Sequence, residues 1–136
     1  MREEIKKLAL YRLSRAEESF KDGEILFKNK SLNSAINRFY YAAFYGAKAM
    51  LATKKLDSSK HSGVISLFQQ HFVKTGVIPS DMAKALPRSF EQRIDTDYED
   101  FLSITVEEIE RTKTEVERFL EECKKVLSAL IASSLQ

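Results

Sequence analysis

The sequence predicts an all-α protein, an antiparallel bundle of about five helices. Three observations carry this reading. Apolar residues recur at helical spacing, long apolar–polar alternations are absent, and four glycines and two prolines in 136 residues leave little material for hairpin turns. The length is that of one domain, 1–136 with a core over roughly 5–130, and 43% hydrophobic with 31% charged residues is ordinary for a globular chain.

From about Arg2 to Phe27, the residues Ile5, Leu8, Ala9, Leu13, Ala16, Phe20, Leu26 and Phe27 share one helical face, with Arg, Lys and Glu opposite. Asn29 to Asn33 is a short connection in which Ser31 or Asn33 is placed to cap the second helix, which runs to about Ala52. Thr53 to Ser59 is polar and aperiodic, which predicts a mobile loop. Ser58 or Ser59 then caps a third helix through Val64, Ile65, Phe68 and Phe72 that stops near Gly76.

Pro79 and Ser80 open a fourth segment. Pro87 lacks an N–H and clashes with the preceding turn, so it predicts a kink or restart, with Arg88 to about Ile94 resuming the helix. Asp95 to Asp100 reads as an acidic loop before the last helix. There Ile109, Val116, Cys123 and Leu130 are spaced by seven, with Phe119, Leu120, Val126 and Leu127 between them. That stripe suits a bundle core, and its length also permits a helix–helix dimer seam.

The second helix is the richest in chemistry. At 100° per residue Ser34, Asn37, Arg38, Tyr41, Tyr45 and Lys48 fall within one arc, while Phe39, Ala43, Ala47 and Met50 lie outside it. The stripe offers two phenols, an amide, a guanidinium and an ammonium, groups suited to a partner or an anion at the edge of a core.

Several function classes are excluded or weakened. No run of about 18 apolar residues exists to span a membrane, and the charged start Met-Arg-Glu-Glu is unlike a signal peptide, so a cytoplasmic protein is expected. The single cysteine, Cys123, cannot form an internal disulfide and sits on the apolar seam as a small hydrophobe. A net charge of +2 gives no global field toward nucleic acid; DNA is not expected as a partner, and RNA contact requires a local patch. There is no Gly-rich phosphate loop, no Ser-His-Asp set and no Cys/His metal cluster, so neither metal nor cofactor is expected. Asp95, Asp97, Glu99 and Asp100 lack the glycine-punctuated pattern of a calcium loop and read as solvated.

The segment Ser34-Ala-Ile-Asn-Arg-Phe-Tyr-Tyr-Ala-Ala-Phe-Tyr resembles the signature helix of HEPN domains. Lys60-His-Ser-Gly-Val64, Phe72-Val-Lys-Thr-Gly76 and Arg93-Ile-Asp-Thr-Asp-Tyr98 follow in the family's order. The resemblance implies a helical bundle, commonly a homodimer, often encoded beside a minimal nucleotidyltransferase and found in toxin–antitoxin or defence systems. Many members are metal-independent endoribonucleases in which an arginine is followed after four to six residues by a histidine. Here Arg93 is present, but Tyr98 stands where the histidine is expected, and no histidine follows His71.

Histidine suits proton transfer near neutral pH and arginine suits charge at a scissile phosphate, whereas a phenol with a pKa near 10 is a poor base at pH 7. The resemblance is therefore to a non-nuclease branch. That branch implies a binding module that engages a nucleotidyltransferase or a nucleotide, through Asn37, Arg38, Tyr41, Tyr45, Lys48, Arg93, Asp97 and Tyr98. The alternative is an RNA-cleaving toxin using Arg93 with Tyr98 or with His61.

Each candidate also has an architectural reading. Arg93 has Glu91, Asp95 and Asp97 at hand for an internal ion pair, and Arg38 has Asp97 or Glu99 for an inter-helix bond. Tyr41 and Tyr45 suit burial with satisfied hydroxyls. His61 lies in line with Ile65, Phe68 and Phe72, which points it inward, and His71 is ten residues away rather than at the spacing of a helical metal pair.

Overall fold

The computed structural model describes residues 1–98 and 104–134, with the side chains of Tyr98 and Ser134 outside that description. Among the described residues all regular structure is helical. The helices are α1 (Glu3–Lys28), α2 (Leu32–Ala52), α3 (His61–Phe68), α4 (Ser80–Ala83), α5 (Ala85–Tyr98) and α6 (Val106–Ser134), and a π-helical turn over Gln69–Val73 prolongs α3.

The central element is α2, because its sequence buries it on all sides but one. From Ala35 to Ala52 every residue except Asn37, Arg38, Tyr41, Tyr45 and Lys48 is buried, and these five lie on the stripe that the wheel predicts. Its alanines and Gly46 let neighbours approach closely. On α1 the buried positions are Ala9, Leu13, Ala16, Ser19 and Gly23, mostly small and three or four apart, so α1 lies close against α2. The contacts Arg12–Lys48, Arg15–Tyr45 and Phe20–Phe39 keep one antiparallel register. Leu8, which periodicity puts on the inner face, is 42% exposed, because it lies about 80° round α1 from the centre of the buried arc.

The heptad stripe of α6 packs inside the chain. Phe119 meets Phe68 at 5.5 Å between ring centres, Leu120 covers Gly46, and Ile109, Val116, Cys123 and Leu127 are buried. Cys123 is 1% exposed, and burial followed by the neighbouring Glu122 charge pushes its thiol well up from its ordinary pKa, which leaves it protonated and inert.

Four local expectations are corrected. The residue before α3 is Lys60 and no side chain caps that helix; Ser58 Oγ instead accepts from the Lys60 amide, and the Oγ lies where a Cβ on Gly63 would stand. Likewise Ser31 precedes α2 without a side-chain cap, and Asn33 is already helical. The 53–59 segment is tied down rather than loose, with the amides of Thr53, Lys54, Lys55 and Leu56 bonded back to α2 and Asp57 paired to two cations. Finally, the acidic stretch expected to be a loop is helical as far as Tyr98; Glu99 and Asp100 lie outside the described residues.

The proline signal resolves as a restart. α5 begins at Ala85, so Pro87 falls in the first turn, where its missing N–H has no intrahelical partner to lose. Gly76 ends the α3 unit with φ of 79°, a left-handed value that suits glycine.

Candidate functional site

The accessible stripe of α2 is flanked by α1 on one side and by α3 and α5 on the other, which brings distant side chains onto one face. Arg93 on α5 reaches over α2. Its guanidinium carbon lies 5.5 Å from the ring centre of Tyr41 and 5.8 Å from that of Tyr40. Arg38 lies 4.9 Å from the same Tyr41 ring, so two guanidinium groups share one aromatic surface.

The partners of these arginines differ. Arg38 donates to its neighbour Asn37 through Nε and Nη2, at 3.2 and 2.7 Å from Oδ1, and among the described residues it has no carboxylate partner. Arg93 forms an ion pair with Asp97, 3.2 Å from Nε to Oδ2, one turn along α5. That Nε is buried and the contact lacks hydrogen-bond geometry, so its N–H is unused among the described residues. Asp97 therefore serves Arg93 rather than bridging to Arg38. With Ser34, Asn37 and Arg38 it lines an open polar hollow at the start of α2.

His61 opens α3 and lies in an aromatic box. Its ring stacks on Phe44 at 4.7 Å and on Phe90 at 5.9 Å, and the edge of Tyr41 lies 5.8 Å away. Its Nδ1 is 2.6 Å from the hydroxyl of Tyr40. Burial, then the charges of Arg93 and Lys48, hold the imidazole pKa below its ordinary value. Burial, followed by Tyr41, pushes the Tyr40 phenol well up, against an opposing pull from Arg93. Both groups are then neutral at pH 7, and on relative acidity the phenol donates to Nδ1, which places the imidazole proton on Nε2. The inward orientation expected for His61 is the one observed.

Further along the stripe, Tyr45 accepts a hydrogen bond from Arg15 at 3.3 Å, and the Arg15 guanidinium also lies 4.9 Å from the Tyr45 ring centre. Lys48 is paired with Asp57 at 3.3 Å, and Arg12 reaches the same carboxylate at 3.1 Å. Arg12, Arg15, Lys48, Arg38 and Arg93 thus form a continuous cationic and aromatic face, with Asp57, Asp97 and, near Arg15, Glu18 as its acids. This is the local patch that a net charge of +2 conceals.

The structure gathers Asn37, Arg38, Tyr41, Tyr45, Lys48, Arg93, Asp97 and His61 around this face, while the side chain of Tyr98 lies outside the described residues. Sequence reasoning missed Tyr40, whose ring is buried. The available signal was that a tyrosine on the buried side of a helix must find a hydrogen-bond partner, and His61 was the inward-pointing candidate. It missed Arg12 and Arg15 as well, because their place beside α2 depends on the antiparallel register. Among the described residues, no three His, Cys, Asp or Glu side chains converge as a metal group, and no helix is long and apolar enough to cross a membrane.

The sequence profile of the HEPN domain matches residues 9–130. A UPF0332 protein of Thermotoga maritima is 39% identical over 127 residues, covering 93% of this chain and 96% of the relative. "Putative toxin MJ0605" of Methanocaldococcus jannaschii is 38% identical over 131 residues, covering 96% and 94%. "Putative toxin MJ0142" of the same organism is 32% identical over 115 residues, covering 85% and 78%.

Proposed function

Since the chain belongs to the HEPN domain family, we propose that it is a helical binding module on the toxin side of a toxin–antitoxin or defence pair. It acts as a homodimer, engages a minimal nucleotidyltransferase, and presents the α2 face to a phosphorylated group without breaking bonds itself. One observation carries this reading. Arg38 and Arg93 converge on the accessible ring of Tyr41 with only Asp97, among the described residues, as a paired carboxylate, an arrangement suited to a bidentate anion or a stacked nucleotide. The names of two relatives support the toxin assignment.

The test is titration calorimetry with ATP and with a single-stranded RNA oligonucleotide, together with co-purification of a nucleotidyltransferase encoded beside this chain. Arg38→Ala and Arg93→Ala are each expected to weaken the interaction about tenfold, the loss of one charge-assisted contact. Unchanged affinities in both variants would remove the cleft from consideration.

One observation favours a second reading, metal-independent RNA cleavage. A neutral imidazole lies in the same aromatic cluster as the Arg93 guanidinium, so a titratable ring and a phosphate-stabilising cation are neighbours, although the accepting Nδ1 is taken by the Tyr40 hydroxyl. Against it, His61 is clasped between Phe44 and Phe90, which restricts access to the ring.

A further inference from the structure

Away from the cationic face, α1 and α6 run antiparallel with a groove between them. Glu24 pairs with Lys113 at 3.4 Å and Glu17 with Lys124 at 3.5 Å, which sets the register of the two helices. The groove side of α1, at Glu17, Lys21 and Glu24, lies between about 120° and 180° round the helix from Arg12, so it is separate from the α2 stripe.

The groove floor is apolar. Phe20 and Leu120 line one half and Phe27 and Ile25 the other, and the two halves meet at Lys21 and Glu24. Ile25 is 59% exposed, the most exposed large apolar side chain among the described residues. The length from Glu17 to Lys28 is about 16 Å, or roughly three helical turns.

The two ends of the groove have opposite charge. Glu117 and Glu121 are exposed on α6 one turn apart, and neither has an ion-pair partner among the described residues. Like charges at that spacing repel, so this end attracts a cation. At the other end Lys28 and Lys113 line the groove, with Glu24 the acid beside them.

We propose that this groove seats an amphipathic helix of a partner protein, about three turns long, basic over Glu117 and Glu121, acidic over Lys28 and Lys113, with apolar side chains on Phe20, Ile25 and Leu120. Charge complementarity at both ends fixes the occupant's character. The inference stands apart from the anion-binding role of the α2 face.

The experiment uses a fluorescein-labelled helical peptide of about 15 residues, with leucines at one-turn spacing, lysines in one half and glutamates in the other, titrated into the full chain by anisotropy. Binding is expected to the wild type, to weaken about tenfold in Ile25→Asp and in Glu117→Lys/Glu121→Lys, and to be unchanged in Arg38→Ala/Arg93→Ala. These groove positions are exposed, and a circular-dichroism melt verifies that each variant folds. No binding by the wild type, or equal binding by the groove variants, overturns the proposal. So does sedimentation in which Glu117→Lys/Glu121→Lys turns a wild-type dimer into a monomer, since the occupant would then be a second copy of this chain.

Discussion

The hydroxyl of Tyr40 lies 2.6 Å from Nδ1 of His61, joining the buried side of α2 to the first residue of α3. That bond, between two neutral groups inside an aromatic cluster, positions the third helix and holds the imidazole beneath the Arg93 guanidinium's field. Tyr40→Phe leaves Nδ1 half-buried without its partner and is expected to lower stability by about 1–2 kcal/mol, read as a shift of the urea midpoint at constant slope. An unchanged midpoint would mean that the bond contributes nothing net.

Because the pKa of His61 is lower folded than unfolded, the unfolded chain binds more protons as pH falls through the unfolded value, near 6.5. The stability tied to a neutral His61 is complete above about pH 6.5 and is lost progressively toward the lower, folded pKa. Urea midpoints of the wild type should therefore fall more steeply between about pH 7 and 5.5 than those of His61→Gln. Parallel slopes would contradict the assignment.

Gly46 marks where α6 presses on α2. A Cβ there would stand 2.7 Å from Leu120 Cδ2, so Gly46→Ala forces that side chain to shift; because its tip borders the open α1–α6 groove, the cost is expected to be about 1 kcal/mol despite alanine's better helix propensity. A thermal melt decides the matter: a raised Tm would show that the interface has room.

Asp57 secures the α2–α3 connection to Arg12 and Lys48, but its side chain is 51% exposed. Burial opposes its ionisation, yet the Ser58 amide, Lys48 and Arg12 together hold its pKa below the ordinary value. Its contribution is thus present above about pH 3.8 and lost as pH falls further. Solvent screening keeps that contribution small, so Asp57→Asn should cost less than about 1 kcal/mol and the loss should shrink in high salt, as denaturation at two ionic strengths will report.

The residues explain what was legible in the sequence and what was not. The accessible stripe of α2 was readable because a helix with alanines and aromatics on every other side leaves no second arc for Asn37, Arg38, Tyr41, Tyr45 and Lys48. The end of α5 was misread because acidic residues resemble a loop in composition. In the fold, the Arg93–Asp97 pair at i,i+4 and the Thr96 hydroxyl bonded to the Arg93 carbonyl fit the helix instead. No local pattern announces that His61 on α3 and Arg93 on α5 meet around Tyr40 and Tyr41, because that depends on how two helices dock on a third. The α1 cations joined the site for the same reason.

The most direct test of the central claim is to incubate the purified protein with a mixed pool of structured and single-stranded RNA in EDTA, comparing wild type with Arg93→Ala. A binding module leaves the RNA intact in both samples while the variant retains less of the pool on a filter. Cleavage by the wild type that Arg93→Ala abolishes would contradict the account and make His61 the next residue to replace.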